Sequence, residues 1–393
     1  MPTLRSRPAS ARYAARAASL ALVLVGAFQA EPALASGFSS ARFGAEHGNP
    51  VTPNPTAVYY NPASLGETEG FHLFVDGSLA LRSAGWQHAL AETDDDSSAA
   101  TYTGGRWGEG QPNAGQATLF NVIAAPMIGA SYKLGDLAFG AGWYVPFGGQ
   151  ATWDKDENYN YEGADFAAKP AGLAPAYPGP YDGVQRFHTI SGAIQSMYFT
   201  LAAAYKIPGV GLSIGVSGNF IRSSVKTLRA RTVAGDNTLA SEGRSLIDVS
   251  GLHASFGVGL MYEAIPKKLW FGASYQAQPG FGEMELTGTL RNEVTGLPAE
   301  TAVSMYQSLP DIIRLGARWK PTDDLELRLF GDFSRWSVMQ NQCIANEGQP
   351  CEVDETGAAA GGSNPIVNIS REWNDAFGIR AGLSYWPTEV AEV

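Results

Sequence analysis

A chain of 393 residues with only 17% charged side chains, 46 glycines and 11% aromatics is poor in charge for a soluble enzyme, in which about a quarter of residues are charged. The net charge of −11, with no basic tract beyond the first residues, argues against nucleic acid as a partner. Five histidines without metal-ligand spacing, and no glycine loop of the phosphate-cradling type, give no reason to expect a cofactor, a metal or an enzyme.

Residues 1–35 read as a secretory signal: Arg5, Arg7, Arg12 and Arg16 precede an apolar run, and Ala33-Leu34-Ala35 offers a small-x-small cleavage site. The run is shorter than the roughly 20 residues a membrane-spanning helix needs. Residues 36–66 follow neither a helical nor a strand period. Pro50, Pro53, Pro55 and Pro62 fix φ and remove backbone donors, while Phe38, Phe43, Val58, Tyr59, Tyr60 and Leu65 are too apolar for a solvated linker. Such a segment needs a structure around it.

From Phe71 the chain alternates. Phe71, Leu73, Val75, Leu79 and Leu81 share one face and His72, Asp76, Ser78 and Arg82 the other. The pattern recurs near 118–134, 137–145, 187–206, 210–230, 246–264, 269–289, 309–320, 325–339 and 372–386, ten strands in all. Short turns such as Gly135-Asp136, Pro208-Gly209 and Pro321-Thr322-Asp323-Asp324 join them at one end. Long polar connections, around 83–115, 153–185, 231–245, 290–302 and 340–370, join them at the other. Strands of about 9–11 residues or more, with short turns on one side and long loops on the other, predict a transmembrane antiparallel β-barrel over residues 67–393. A soluble β-sandwich alternates in the same way, but its faces would lack Trp and Tyr near strand ends and inward glycine, serine and charge. Residues 36–66 then form an N-terminal hatch, a plug inside the barrel.

The close of that segment, Tyr60-Asn61-Pro62-Ala63-Ser64-Leu65, placed between a signal and the first strand, resembles the N-terminal hatch of the FadL-like outer-membrane transporters of long-chain fatty acids and aromatic hydrocarbons. The resemblance implies a channel in the outer membrane, in contact with its lipid and lipopolysaccharide; the sequence leaves the oligomeric state open, with a monomer favoured. It would take up long-chain fatty acids or similar hydrophobic compounds by passive, ligand-gated diffusion. The resemblance also implies fourteen strands against the ten read here, so the chain is expected to be a C-terminally incomplete piece of a larger barrel, with a smaller closed barrel as the alternative. An aromatic-hydrocarbon channel of the same family, a general aqueous porin and a structural surface barrel are the alternatives.

Candidate site residues follow from these readings. Phe38 and Phe43 are candidate ligand contacts on the hatch, with Asn61 and Pro62 fixing how its end docks. The strand beginning at Leu137 is interrupted at Pro146-Phe147-Gly148-Gly149, residue types that belong at edges, kinks or bulges. It could end there above the membrane; the resemblance instead implies a kinked strand that opens a lateral gate into the lipid. Inward-facing Arg314, Arg318, Arg328 and Arg380 could meet a fatty-acid carboxylate or pair with Glu326 and Asp332 as an internal network; Arg314, Arg318 and Arg380 are the candidate carboxylate contacts. Cys343 and Cys351, close together in an exported chain, read as a disulfide. Gly211-Leu212-Ser213-Ile214-Gly215 matches a nucleophile elbow but lies inside a predicted strand, and Asp94-Asp95-Asp96 reads as an acidic loop tip or a weak Ca²⁺ site.

Overall fold

A period-two pattern places every second side chain on one face, so a sheet built from these segments has an oily side and a polar side. The computed structural model describes residues 42–88, 115–156, 179–232, 242–294, 297–354 and 356–387. The signal at 1–35, Phe38, the acidic triplet at 94–96 and residues 388–393 lie outside them. The described residues form fourteen antiparallel strands: β1 (Phe71–His88), β2 (Gly115–Leu134), β3 (Leu137–Thr152), β4 (Ser191–Ile207), β5 (Leu212–Arg231), β6 (Gly243–Ile265), β7 (Leu269–Gln276), β8 (Glu283–Val294), β9 (Leu297–Ser308), β10 (Ile312–Thr322), β11 (Leu325–Ser334), β12 (Asn341–Asn346), β13 (Val367–Ser370) and β14 (Ala376–Tyr385).

Ten of them form one path in the order β1-β2-β3-β4-β5-β6-β7-β10-β11-β14, and these correspond to the ten segments read from alternation. Their outward residues, among them Leu79, Phe120, Phe199, Val216, Leu260, Phe271, Leu315 and Ile379, remain exposed, as lipid-facing positions of a barrel must. The inward set mixes small polar residues, among them Ser131, Thr200, Ser213, Asn219, Ser255 and Ser274, with larger ones such as Met127, Tyr198 and Met261, all buried. The path curls round residues 44–47: Asp76 of β1 accepts from the Gly44 amide at 2.7 Å and Arg328 of β11 reaches His47 Nδ1 at 2.7 Å. Strands from opposite ends of the path thus converge on the same short stretch. No described helix is long and apolar enough to cross a membrane.

The remaining four strands correct the sequence reading. The segment near 269–289 is not one strand, because Pro279–Phe281 forms a 3-10 turn with Gly280 at φ 68° and separates β7 from β8. The connection near 290–302 contains the β8–β9 hairpin, and the connection near 340–370 contains β12 and β13. β6 explains how this happens: Gly257–Ile265 pairs with β7 in the wall, whereas Arg244–Ser250 pairs with β8. The sheet β8-β9-β12-β13 branches from the wall there as a cap. Its residues Leu286, Leu290, Val303, Met305 and Ile344 pack on Val225, Ile247 and Val249, the inward faces of β5 and β6. A disulfide joins Cys343 in β12 to Cys351. β4 also starts later than its apolar pattern suggests, at Ser191. Residues just before it are clamped by two buried charge clusters, Arg186 on Glu242 at 2.9 Å and Asp182 between Lys155 and Arg244.

If the outward face meets hydrocarbon, Val216→Arg, on the outward face of β5 four residues past Leu212, should cost about 2–4 kcal/mol in lipid vesicles. Urea titration of folding into vesicles measures this, and an unchanged midpoint would contradict a lipid-facing position.

Candidate functional site

The hatch segment sits on the inner wall because the wall there has no side chains to hold it off. A Cβ at Gly272 would lie 2.5 Å from the Pro50 carbonyl, one at Gly142 would lie 2.7 Å from Val58, and one at Gly259 or Gly215 would collide with Asn61 or Ala63. Within the segment, Ala57–Tyr60 forms one helical turn and Pro62–Glu67 a 3-10 turn, with Pro62 at its first position, where a missing N–H costs nothing.

Asn61 holds these turns to each other and to the wall. Its Oδ1 accepts from the Ala63 amide at 3.1 Å, capping the second turn, while Nδ2 donates to the Pro50 carbonyl at 2.8 Å and to the Leu260 carbonyl of β6 at 3.0 Å. Ser64 Oγ donates to the Pro50 carbonyl, and Ser274 Oγ of β7 donates to the Tyr60 carbonyl. Towards the short-turn end, Glu67 receives Lys206 at 2.8 Å and Ser213 Oγ at 3.1 Å, and Lys206 also reaches Glu263 at 3.3 Å. Ser213 is therefore a wall residue inside β5 bonded to the carboxylate of Glu67, just after the hatch, and the strand-turn-helix corner of a nucleophile elbow is absent there. Just outside the membrane, a hydrogen bond from Lys133 holds the Glu69 carboxyl below its ordinary range.

The arginines divide by partner. Arg314 donates to the Tyr59 carbonyl at 3.1 Å and to Gln276, with its guanidinium 4.3 Å from the Tyr59 ring. Arg380 pairs with Asp332 at 2.7 Å, and Arg328 bonds His47 and Ser384. Arg318 is 7% exposed and stands over Trp270, its guanidinium carbon 4.0 Å from the ring centroid, and its Nε, like that of Arg328, has no hydrogen-bond partner. Three of the four inward arginines thus hold hatch or wall.

Phe43, buried on the hatch, begins a continuous run of ring contacts. It meets Tyr144 at 5.4 Å, Tyr144 stacks on Tyr198 at 5.5 Å, Tyr198 meets Phe147 at 6.2 Å, Phe147 meets Trp336 at 5.9 Å and Trp336 meets Trp373 at 5.0 Å. Phe147 stands in the interruption read from the sequence. Alternation fails there, and Tyr144, Val145, Pro146 and Phe147 are all buried. The β3–β4 register shifts between Tyr144 and Phe147, so two residues of β3 face Met197 alone, which is a β-bulge. The strand does not end at Pro146 but continues to Thr152 beside β4. On its other side, the pairing of β2 with β3 stops at Met127↔Tyr144, next to Pro126. Farther along, the two strands are bridged by side chain: Asn121 Nδ2 donates to the Thr152 carbonyl at 3.2 Å and Asn121 Oδ1 accepts from the Thr152 amide at 3.0 Å. A break in the wall, flanked by a proline on each strand and closed above by Asn121, lies against the aromatic run. Sequence reading missed Pro126 and Asn121, although a proline inside an alternating segment was the available signal for the first.

Replacing Gly272 by Val should displace Pro50 and loosen the hatch, and Asn61→Ala should leave buried partners unsatisfied at a cost of about 1–3 kcal/mol. Both variants are expected to raise steady ion conductance in planar bilayers while strand content by circular dichroism stays unchanged. Wild-type conductance in both would mean that the hatch does not obstruct the lumen.

Comparison with known proteins places this geometry. Residues 166–390, more than half of the chain, match the family described as outer membrane protein transport protein (OMPP1/FadL/TodX). No curated protein matches significantly by sequence. Among solved structures, a Pseudomonas aeruginosa FadL homologue is similar with TM-score 0.61 and 17% identity over 90% of this chain and 79% of its own. The Ralstonia pickettii toluene transporter TbuX gives 0.56 and 18% over 88% and 84%, and the Pseudomonas putida toluene transporter TodX gives 0.55 and 15% over 90% and 80%. At these identities the structures speak for the fold, and it is the family match that supports the assignment: the chain belongs to the FadL/TodX family of outer membrane transport proteins for hydrophobic compounds.

Proposed function

We propose that this protein is a passive channel that admits hydrophobic compounds past the hatch and releases them sideways between β2 and β3. The observation that carries the reading is the coincidence of the β2–β3 break with the aromatic run, because Phe147 belongs to both. An apolar cargo gains about 0.8 kcal/mol per CH₂ on leaving water, so a ring-lined path that opens towards hydrocarbon moves it downhill without a cofactor or energy source. Residues 42–66 act as the plug, and Phe43, Tyr144 and Phe147 as cargo contacts. Pro146, Gly148 and Gly149 keep the wall from closing.

The lining favours aromatic hydrocarbons over long-chain fatty acids. A carboxylate needs a cation to meet it, and the arginine beside the aromatic run, Arg314, already donates to Tyr59 and Gln276. Two of the similar solved structures are toluene transporters. The fatty-acid reading has Arg318 in its favour, with an unpartnered Nε at the short-turn end, and the similar FadL homologue.

Uptake by cells expressing the protein tests both levels. Pro146→Val combined with Gly148→Val and Gly149→Val restores a regular strand, and it should bring labelled toluene uptake down to that of cells without the channel. Uptake equal to wild type would reject lateral release. Oleate uptake that exceeds toluene uptake and disappears in Arg318→Gln would transfer the cargo assignment to fatty acids.

A further inference from the structure

The outer surface of the wall carries one feature that neither the hatch nor the β2–β3 break uses. Arg222 stands on the outward face of β5, opposite Met197 of β4 and Leu252 of β6. Among the described residues it makes no hydrogen bond or ion pair. It borders a groove of about 500 Å³ whose lining includes Trp143, Met197, Phe199, Phe220 and Leu252. The next outward charge along β5, Lys226, is already paired with Asp248 at 2.7 Å.

Position along the strand decides what such a groove meets. Leu212 lies opposite Tyr262 at the short-turn end, and Arg222 is ten residues farther on. At about 3.3 Å per residue and a tilt of about 40°, that is a rise of roughly 25 Å, the height of a barrel's apolar band. Arg222 therefore sits at the outer-leaflet border, with apolar Ile214, Val216 and Phe220 on the outward face below it and Ser224 and Lys226 above. A lipid-facing arginine is tolerated at this level and is costly at the midplane. An acyl chain fits the apolar groove, and a guanidinium at its upper end matches a phosphate, which it can bind through two parallel N–H donors.

We propose that Arg222 and this groove form a seat for an outer-leaflet lipid bearing a phosphate headgroup, with the headgroup on Arg222 and one acyl chain lying between Phe199, Phe220 and Leu252. Trp143 and Met197 place the seat on the outer side of the β3 bulge. The seated lipid would be the immediate neighbour of the break in the wall.

Native mass spectrometry of the full chain in nonionic detergent tests this with lipid A, phosphatidylcholine, palmitate and inorganic phosphate as probes. Wild type should retain lipid A over phosphatidylcholine by about fivefold, the effect of one cation near a charged headgroup. Arg222→Gln should bring the two lipids to parity, Ala254→Trp, at a β6 position that also lines the groove, should lower retention of lipid A by filling it, and Lys226→Gln should leave the preference in place. Parity in wild type, a preference that survives Arg222→Gln, or displacement of lipid A by palmitate or by inorganic phosphate would overturn the proposal.

Discussion

Hydrocarbon offers backbone amides and carbonyls no partner, and this constraint shapes both the wall and what fills it. Each strand of the wall path must find its hydrogen bonds in a neighbour, which is why long paired ladders such as β1–β2 and β5–β6 run with hardly an interruption. The hatch faces the same problem without a strand's means of solving it. Its prolines remove donors and its two short helical turns satisfy only part of the rest. Wall side chains supply what is missing: Arg314 and Ser274 serve the carbonyls of Tyr59 and Tyr60, and Asp76 serves the amide of Gly44. Irregular backbone survives at membrane depth because protein surrounds it.

The same constraint explains why the interruption between β2 and β3 stands out. Proline in a central strand is disfavoured because it takes a rung from the ladder, yet Pro126 and Pro146 flank one seam. Asn121 substitutes an amide side chain for backbone pairing just beyond them, using its oxygen and its nitrogen as a peptide group would. Beyond Met127 and Tyr144 the seam therefore lacks the backbone rungs that join the two strands below.

Most of the wall was legible in the sequence because alternation is a strict signal when one face meets lipid. Phe71 to Leu81 could be read directly, and the buried Tyr144-to-Phe147 stretch showed itself as a failure of alternation around Pro146. The cap was not legible for the opposite reason. β9 and β12 stand beyond the lipid, so nothing obliges their outward residues to be apolar, and they read as polar loop. The break between β7 and β8 was written in Pro279-Gly280-Phe281-Gly282, but Met284 and Leu286 beyond it continued the alternation and masked the turn. Side-chain partnerships at long separation leave no trace in a single chain. That Arg314 serves the Tyr59 carbonyl, 255 residues earlier, and that Arg328 serves His47 could be learned only from the folded arrangement.

β6 belongs to two sheets at once, its lower half to the wall and its upper half to the β8-β9-β12-β13 extension. Among the described strands, that extension is therefore hydrogen-bonded to the wall through β6 alone. Insertions between Gln276 and Ile312 or between Ser334 and Ala376 could remodel that extension while the seat of residues 42–66 on Gly215, Gly259 and Gly272 stays as it is. In a scaffold of this kind, the extension and the seat inside the wall can diversify on separate evolutionary schedules.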